Sequence, residues 1–121
     1  MNEIELIGNR VTTLVVNSAN LMKLSDDQLA KVLRTSPSTI TQLHAGEILL
    51  NRESNEWEPA TDLIKLYLML YKIVGGDDQV LHSWLKNHNT ALNDVPINLI
   101  TTGGMKKVVK YLEGYFAGGY L

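Results

Sequence analysis

The chain contains no cysteine, and proline occurs only three times in 121 residues. The absence of cysteine excludes a disulfide scaffold, a thiolate metal site and a cysteine nucleophile. A long apolar run is also missing, because the longest one, residues 63–74, is interrupted by Lys65 and Lys72. A bilayer span needs about 20 apolar residues. Together with an N-terminus that lacks a basic region before an apolar one, these absences favour a cytoplasmic protein without a signal peptide.

An excess of charge of one sign is missing as well, since 11 Lys and Arg side chains stand against 13 Asp and Glu side chains. A net charge of −2 draws the protein neither to nucleic acid nor to a membrane. Up to Arg52, Lys and Arg are as numerous as Asp and Glu, and residues 53–121 carry more Asp and Glu than Lys and Arg. The N-terminal part is therefore the better candidate for approaching phosphates.

Signals of catalysis and of metal binding are weak. His82 and His88 lie six residues apart, which does not place them on one face of a helix, and no carboxylates complete a metal set at suitable spacing. Gly103-Gly104 lacks the strand-to-helix setting of a phosphate-binding loop. We predict a protein that is not an enzyme, that uses no cofactor and no metal, and that works by binding a macromolecule.

No alternating strand pattern occurs, and the sequence predicts an all-α protein. Ser25 and Gln28 have the spacing of a capping box, and Ser36 precedes a proline that can begin a helix. The final helix has the clearest period, and we expect Thr101 or Thr102 to cap it. The helices before it are predicted over residues 11–22, 26–33, 37–45, 57–74, 78–87 and 96–100.

Residues 25–46 have the spacing of a helix-turn-helix, with the small Ala30 where two short helices would cross. The segment resembles the helix-turn-helix of Xre-type, lambda-repressor-like regulators. The second helix would present hydroxyl and amide groups that reach phosphates and base edges. The predicted DNA-binding residues are Ser36, Ser38, Thr39, Thr41, Gln42 and His44. Arg34 at the usual glycine position, and a second helix without Lys or Arg, weaken the case for DNA binding, and a helix pair kept for packing or dimerisation stays open as the alternative.

A spaced pattern fills the last third of the chain: Trp84-Leu85, Asn89, Leu92, Pro96, residues 99–102, Gly104, Val108 and Tyr111-Leu112. With the helix-turn-helix, it resembles the toxin-binding domain of Xre/MbcA/ParS-type antitoxins, in the same order of elements from about Val11 to Leu112. Asn93-Asp94 replaces the usual glycine before the proline, and both residue types tolerate a positive φ.

The resemblance implies a type II antitoxin. Such antitoxins bind and block a RES-type toxin that consumes NAD or transfers ADP-ribose from it, and they commonly repress their own operon. We expect a helix-turn-helix region over residues 1–52 and a helical toxin-binding and dimerisation domain over residues 53–121. The alternatives are a stand-alone helix-turn-helix repressor without a toxin partner and an interaction module that has lost DNA binding.

Two further sets of residues follow from these expectations. The predicted toxin-binding residues are Lys106, Lys107, Lys110, Tyr115, Phe116, Tyr120 and Leu121. Tyr120 and Leu121 either enter the nicotinamide cleft of the toxin or form a frayed terminus. The long helix is apolar nearly all round, which predicts a homodimer or burial within the monomer. The residues assigned to the dimer or the core are Leu66, Tyr67, Leu70, Tyr71, Trp84 and Leu85.

Overall fold

The computed structural model describes residues 2–117, and within them the chain forms seven helices and no strand. The predicted all-α class is confirmed. None of the helices in this range combines the length and the apolarity that a membrane crossing requires. The helices are α1 (Glu3–Leu21), α2 (Asp26–Leu33), α3 (Pro37–Ala45), α4 (Trp57–Ile73), α5 (Asp78–Lys86), α6 (Pro96–Thr101) and α7 (Met105–Phe116).

The long helix α4 is the centre of the fold, because it packs against α1, α2, α5 and α7. Its inward side carries Ala60, Leu63, Leu66 and Leu70, and each of them is fully buried. Helices from both predicted regions therefore share one core on α4. The division at residue 52 stays a prediction.

Local chemistry sets several helix ends where the sequence predicts them. The hydroxyl of Ser25 accepts a hydrogen bond from the backbone N–H of Gln28, and the Gln28 side chain accepts one from the N–H of Ser25. The hydroxyl of Ser36 caps α3 by accepting from the N–H of Thr39, and Gly46 ends the helix with a φ of 72°. These contacts satisfy N–H groups that a helix end leaves unpaired.

The first helix begins eight residues earlier than the apolar pattern predicts, at Glu3 instead of Val11. The side chain of Asn2 accepts a hydrogen bond from the N–H of Glu5, and Glu3 and Glu5 place negative charge in the first turn. A negative charge there is favourable because the helix dipole is positive at that end.

The start of α7 also differs from the prediction. Thr101 and Thr102 do not cap it, since their hydroxyls donate to the carbonyls of Ile97 and Asn98 within α6. The residue before α7 is Gly104, which makes no side-chain cap. A Cβ on Gly104 would lie 3.0 Å from the carbonyl oxygen of Leu99, so the glycine permits the close approach of α6 and α7.

The connection between α3 and α4 is held against α1 by Thr12. Its buried hydroxyl donates to the carbonyl of Gly8 at 2.7 Å and accepts from the N–H of Leu50 at 2.8 Å. A Cβ on Gly8 would lie 2.6 Å from the carbonyl oxygen of Leu50. Glycine is therefore required at this position of α1, although it costs helix stability elsewhere.

Candidate functional site

The first turn of α7 is joined to α4 by Lys106. Its Nζ lies 2.7 Å from Oε1 of Glu58 and 2.9 Å from Oδ2 of Asp62. The hydrogen bond from Lys106 holds the pKa of the Glu58 carboxyl below its ordinary value, and the hydrogen bonds to both carboxylates raise the pKa of Lys106. Farther along both helices, Lys65 pairs with Glu113 at 3.2 Å. The order of these contacts shows that α4 and α7 run side by side in the same direction.

Lys107 is engaged within the protein as well. Its Nζ donates a hydrogen bond of 2.8 Å to the carbonyl oxygen of Leu92, in the connection between α5 and α6. Two of the three lysines that the sequence assigns to toxin binding therefore have partners inside the chain. The third, Lys110, is exposed.

The C-terminal end of α7 carries two aromatic rings that the sequence also assigns to toxin binding. Tyr115 is half-buried, Phe116 is 50% exposed, and their rings meet edge to face with centroids 6.1 Å apart. Tyr120 and Leu121 lie outside the described residues.

The connection between α5 and α6 forms a closed loop. The N–H of Asn89 donates to the carbonyl of Asp94 at 2.9 Å, and the side chain of Asn89 accepts from the N–H of Leu92 at 3.0 Å. Asn93 has a φ of 55°. Asn89 thus fixes the irregular segment through bonds of its backbone and its side chain, and Asn93 makes the left-handed turn within it.

The residues assigned to a dimer or to the core divide into two groups. Leu66, Leu70 and Leu85 are fully buried inside the protomer, and Tyr67 and Trp84 pack partly buried against the core. Tyr71 is the most accessible of the six, with 45% of it exposed.

An apolar strip on the outer side of α4 was not singled out by the sequence. Leu68 is 51% exposed there. Together with Ile64, Met69 and Phe116 it lines an open groove of about 420 Å³ between α4 and the end of α7. The sequence of a helix that is apolar all round does not show which side other helices cover, so this exposed strip could not be predicted.

The polar side of α3 is partly occupied by its own contacts. The hydroxyl of Ser36 lies 3.0 Å from that of Thr39, and Thr41 donates to the carbonyl of Pro37. Nε2 of His44 lies 3.0 Å from Oδ1 of Asp26 at the start of α2. Ser38 and Gln42 are exposed on the same helix.

The turn between α2 and α3 is made by Arg34. It adopts the left-handed conformation with a φ of 57°, which glycine adopts more easily. Its side chain lines a groove with Lys31, Glu58 and Lys106. Within residues 2–117, no three His, Asp or Glu side chains are grouped so that they could hold a metal ion.

Comparison with known families gives a match in the C-terminal part of the molecule. Residues 69–118 match the family model of the antitoxin Xre/MbcA/ParS C-terminal toxin-binding domain. The resemblance predicted for this part of the chain is confirmed. A comparison of the chain with curated proteins gives no match.

The matched segment begins inside α4 and includes α5, α6 and α7. It therefore contains the exposed Lys110, the aromatic pair at the end of α7 and the closed loop between α5 and α6. The match supports an antitoxin role with a toxin as partner.

Proposed function

We propose that this protein is the antitoxin of a type II toxin-antitoxin system that binds and neutralises a RES-type toxin in the cytoplasm. The match of residues 69–118 to a toxin-binding domain carries the proposal. The RES class of the toxin, which consumes NAD or transfers ADP-ribose, rests on the antitoxin resemblance of the sequence. The protein acts by binding and not as an enzyme.

The toxin contacts lie on Lys110, in the middle of α7, on Tyr115 and Phe116 at its end, and on Tyr120 and Leu121, which follow in the sequence. An exposed aromatic ring suits an interface, because aromatic residues contribute much of the binding energy at protein contacts. Lys106 and Lys107 contribute by holding α7 and the α5–α6 loop in place, since each already has partners inside the chain. Deletion of residues 117–121 tests the tail: weaker inhibition of the toxin supports its role, and full inhibition removes it.

A homodimer forms through the outer side of α4. Leu68 and Tyr71 are accessible there, at 51% and 45% exposure, and exposed apolar patches of this kind mark interaction sites. The variant Leu68→Glu is expected to sediment as a monomer at micromolar concentration, while Thr13→Glu, on the exposed side of α1, sediments like the wild type. A wild-type chain that sediments as a monomer contradicts the dimer.

Autorepression through α2 and α3 is the second activity that we assign. Gln42 is exposed on α3 and can form two hydrogen bonds with an adenine edge, worth about 1–3 kcal/mol of discrimination. Gln42→Ala is expected to weaken binding to DNA from the protein's own promoter, and Thr13→Ala leaves it unchanged. Promoter binding that does not depend on salt or on Gln42 contradicts this assignment.

Co-expression with the product of the adjacent reading frame tests the antitoxin role. We expect that product alone to stop growth, and the two proteins together to restore growth and to purify as one complex. A neighbouring product that is harmless and does not co-purify, combined with specific promoter binding, would favour the stand-alone repressor.

A further inference from the structure

The outer side of α1 carries a row of apolar side chains with the period of a helix–helix seam. The members of this α1 row follow one another at steps of three and four residues, interrupted only by Ser18: Ile4, Ile7, Val11, Leu14 and Leu21. Ile4 is 69% exposed, Leu14 50% and Leu21 48%, so the core leaves much of the row uncovered. A period of about 3.5 residues keeps one side of a helix turned toward a neighbouring helix over several turns.

The outer side of α4 repeats this period. Steps of four and three residues join the members of the α4 row: Trp57, Thr61, Ile64, Leu68 and Tyr71. Leu68 and Tyr71 are exposed and the other three are half-buried, while α4 turns a different set of residues into the core. Two helices of one chain therefore carry outward seams with the period of a coiled coil, and neither seam contains a charged side chain.

The two rows lie side by side. Helix α1 packs against α4, and Ile7 of the α1 row lines a small groove together with Trp57, the first residue of α4. At the other end of α1, Nε2 of His82 in α5, the helix after α4, lies 2.9 Å from the carbonyl oxygen of Leu21. The two helices therefore run in the same direction, and their rows form one apolar face.

We propose that this face, made of the α1 row and the α4 row, is the homodimer interface, and that its occupant is the same face of a second copy. The inference rests on the proposed function, because it extends the dimer that we place on α4. Seams of this period are covered by helices, and a second copy supplies two helices side by side, which completes a four-helix arrangement.

The size of the face also favours the inclusion of α1. A row on a single helix, about 25 Å long and about 10 Å wide, is small beside the roughly 800 Å² that each partner buries in a stable interface. The α1 row doubles the apolar area that the α4 row offers. A dimer that used α4 alone would leave the three exposed aliphatic side chains of α1 in water.

The charges at the helix ends set the orientation of the two copies. Those at the helix starts and ends are Glu3, Glu5 and Lys23 for α1, and Glu56, Glu58 and Lys72 for α4. Antiparallel copies place the acidic start of each helix opposite the basic end of its counterpart, whereas parallel copies bring the acidic starts together. Arg10 and Lys65 lie farther from the helix ends, and Lys65 is paired with Glu113 of its own chain.

Antiparallel packing makes a prediction about the middle of the α1 row. Leu14 is seven residues from both Ile7 and Leu21, so it lies at the two-fold axis, close to the partner's Leu14. The chain has no cysteine, so Leu14→Cys introduces a single thiol. We expect oxidation to link two copies of this variant through a disulfide. Thr13→Cys, exposed on α1 but outside the row, is the matched control and should stay unlinked.

A second variant measures the strength of the contact. Leu14→Glu places a carboxylate in the face and is expected to weaken dimerisation about tenfold or more in sedimentation equilibrium, while Thr13→Glu dimerises like the wild type. Because Leu14 is half exposed in the protomer, the helix content measured by circular dichroism should equal that of the wild type.

The outcomes separate this inference from the proposed dimer. A dimer that Leu68→Glu disrupts and Leu14→Glu leaves unchanged overturns the role of α1 and keeps the dimer on α4. A dimer that Leu14→Glu weakens, but in which Leu14→Cys does not link, overturns the antiparallel orientation. A wild-type chain that stays monomeric overturns the proposed dimer, and this inference with it.

Discussion

Replacing Lys107 by methionine removes the ammonium group that holds the α5–α6 loop and keeps the aliphatic stem. Methionine and lysine have similar helix propensities, so α7 itself should be unaffected. A hydrogen bond from a charged group contributes about 1.5–3 kcal/mol, and partial access of water to this one reduces the expected loss to about 1–2 kcal/mol. The matched control is Lys110→Met on the exposed side of the same helix, which should change stability by less than about 0.5 kcal/mol.

The loss converts into a shift of the melting temperature through the entropy of unfolding. At about 2.1 cal/mol/K per residue, 121 residues give about 0.25 kcal/mol per degree. Lys107→Met should therefore melt about 4–8 °C below the wild type, measured by differential scanning calorimetry. The amide of Leu92, which donates to Asn89, should exchange its hydrogen faster in this variant.

The two lysine variants also separate positioning from contact. Lys110→Met should weaken toxin binding at unchanged stability, because this side chain is exposed at the proposed contact. If Lys107→Met melts with the wild type and the Leu92 amide keeps its protection, Lys107 does not hold the loop and the reasoning from its hydrogen bond is refuted.

Three further outcomes follow from individual contacts. Thr12→Val leaves the N–H of Leu50 without its partner and should lower the free energy of unfolding, measured in urea, by about 1–3 kcal/mol. The control Thr13→Val should unfold like the wild type. Equal free energies of unfolding for the two variants would contradict a stabilising bond between Thr12 and Leu50. Ser25→Ala removes half of the capping box of α2 and should cost about 1 kcal/mol by the same measurement, and no loss would show that the cap is dispensable. Lys106 lowers the pKa of the Glu58 carboxyl below its ordinary value of 4.5. The ion pair therefore stabilises the fold at pH values above 4.5, and this stabilisation is lost as the pH falls through the lowered pKa. The difference in melting temperature between wild type and Glu58→Gln should accordingly shrink in acid, and a difference that stays constant would argue against the pair.

Short-range chemistry made much of the fold predictable. The capping box at Ser25 and the Ser36-Pro37 start of α3 depend on residues within one helical turn, and the structure has them as predicted. The start of α1 was missed because a search for apolar periodicity passes over Asn2, whose capping role is polar.

Contacts between residues that are far apart in the sequence could not be predicted from it. Lys106 and Lys107 read as free cations on the polar side of an amphipathic helix, whereas their partners Glu58, Asp62 and Leu92 lie far away in sequence. No neighbouring residue in the sequence explains the glycine at position 8 of α1. It is required because a Cβ there would clash with the carbonyl oxygen of Leu50. The assignment of residues to toxin, DNA and dimer contacts stays a prediction for the same reason: it depends on partners that the chain alone does not specify.

A titration of the toxin with the purified chain tests the central claim most directly. The NAD-consuming activity that we propose for the adjacent gene product would be measured while the full chain is added in increasing amounts. We predict that activity falls in proportion to the added chain and reaches zero at a fixed molar ratio, as expected for tight binding that blocks the toxin. Full activity in the presence of a large excess of the folded chain would contradict the account.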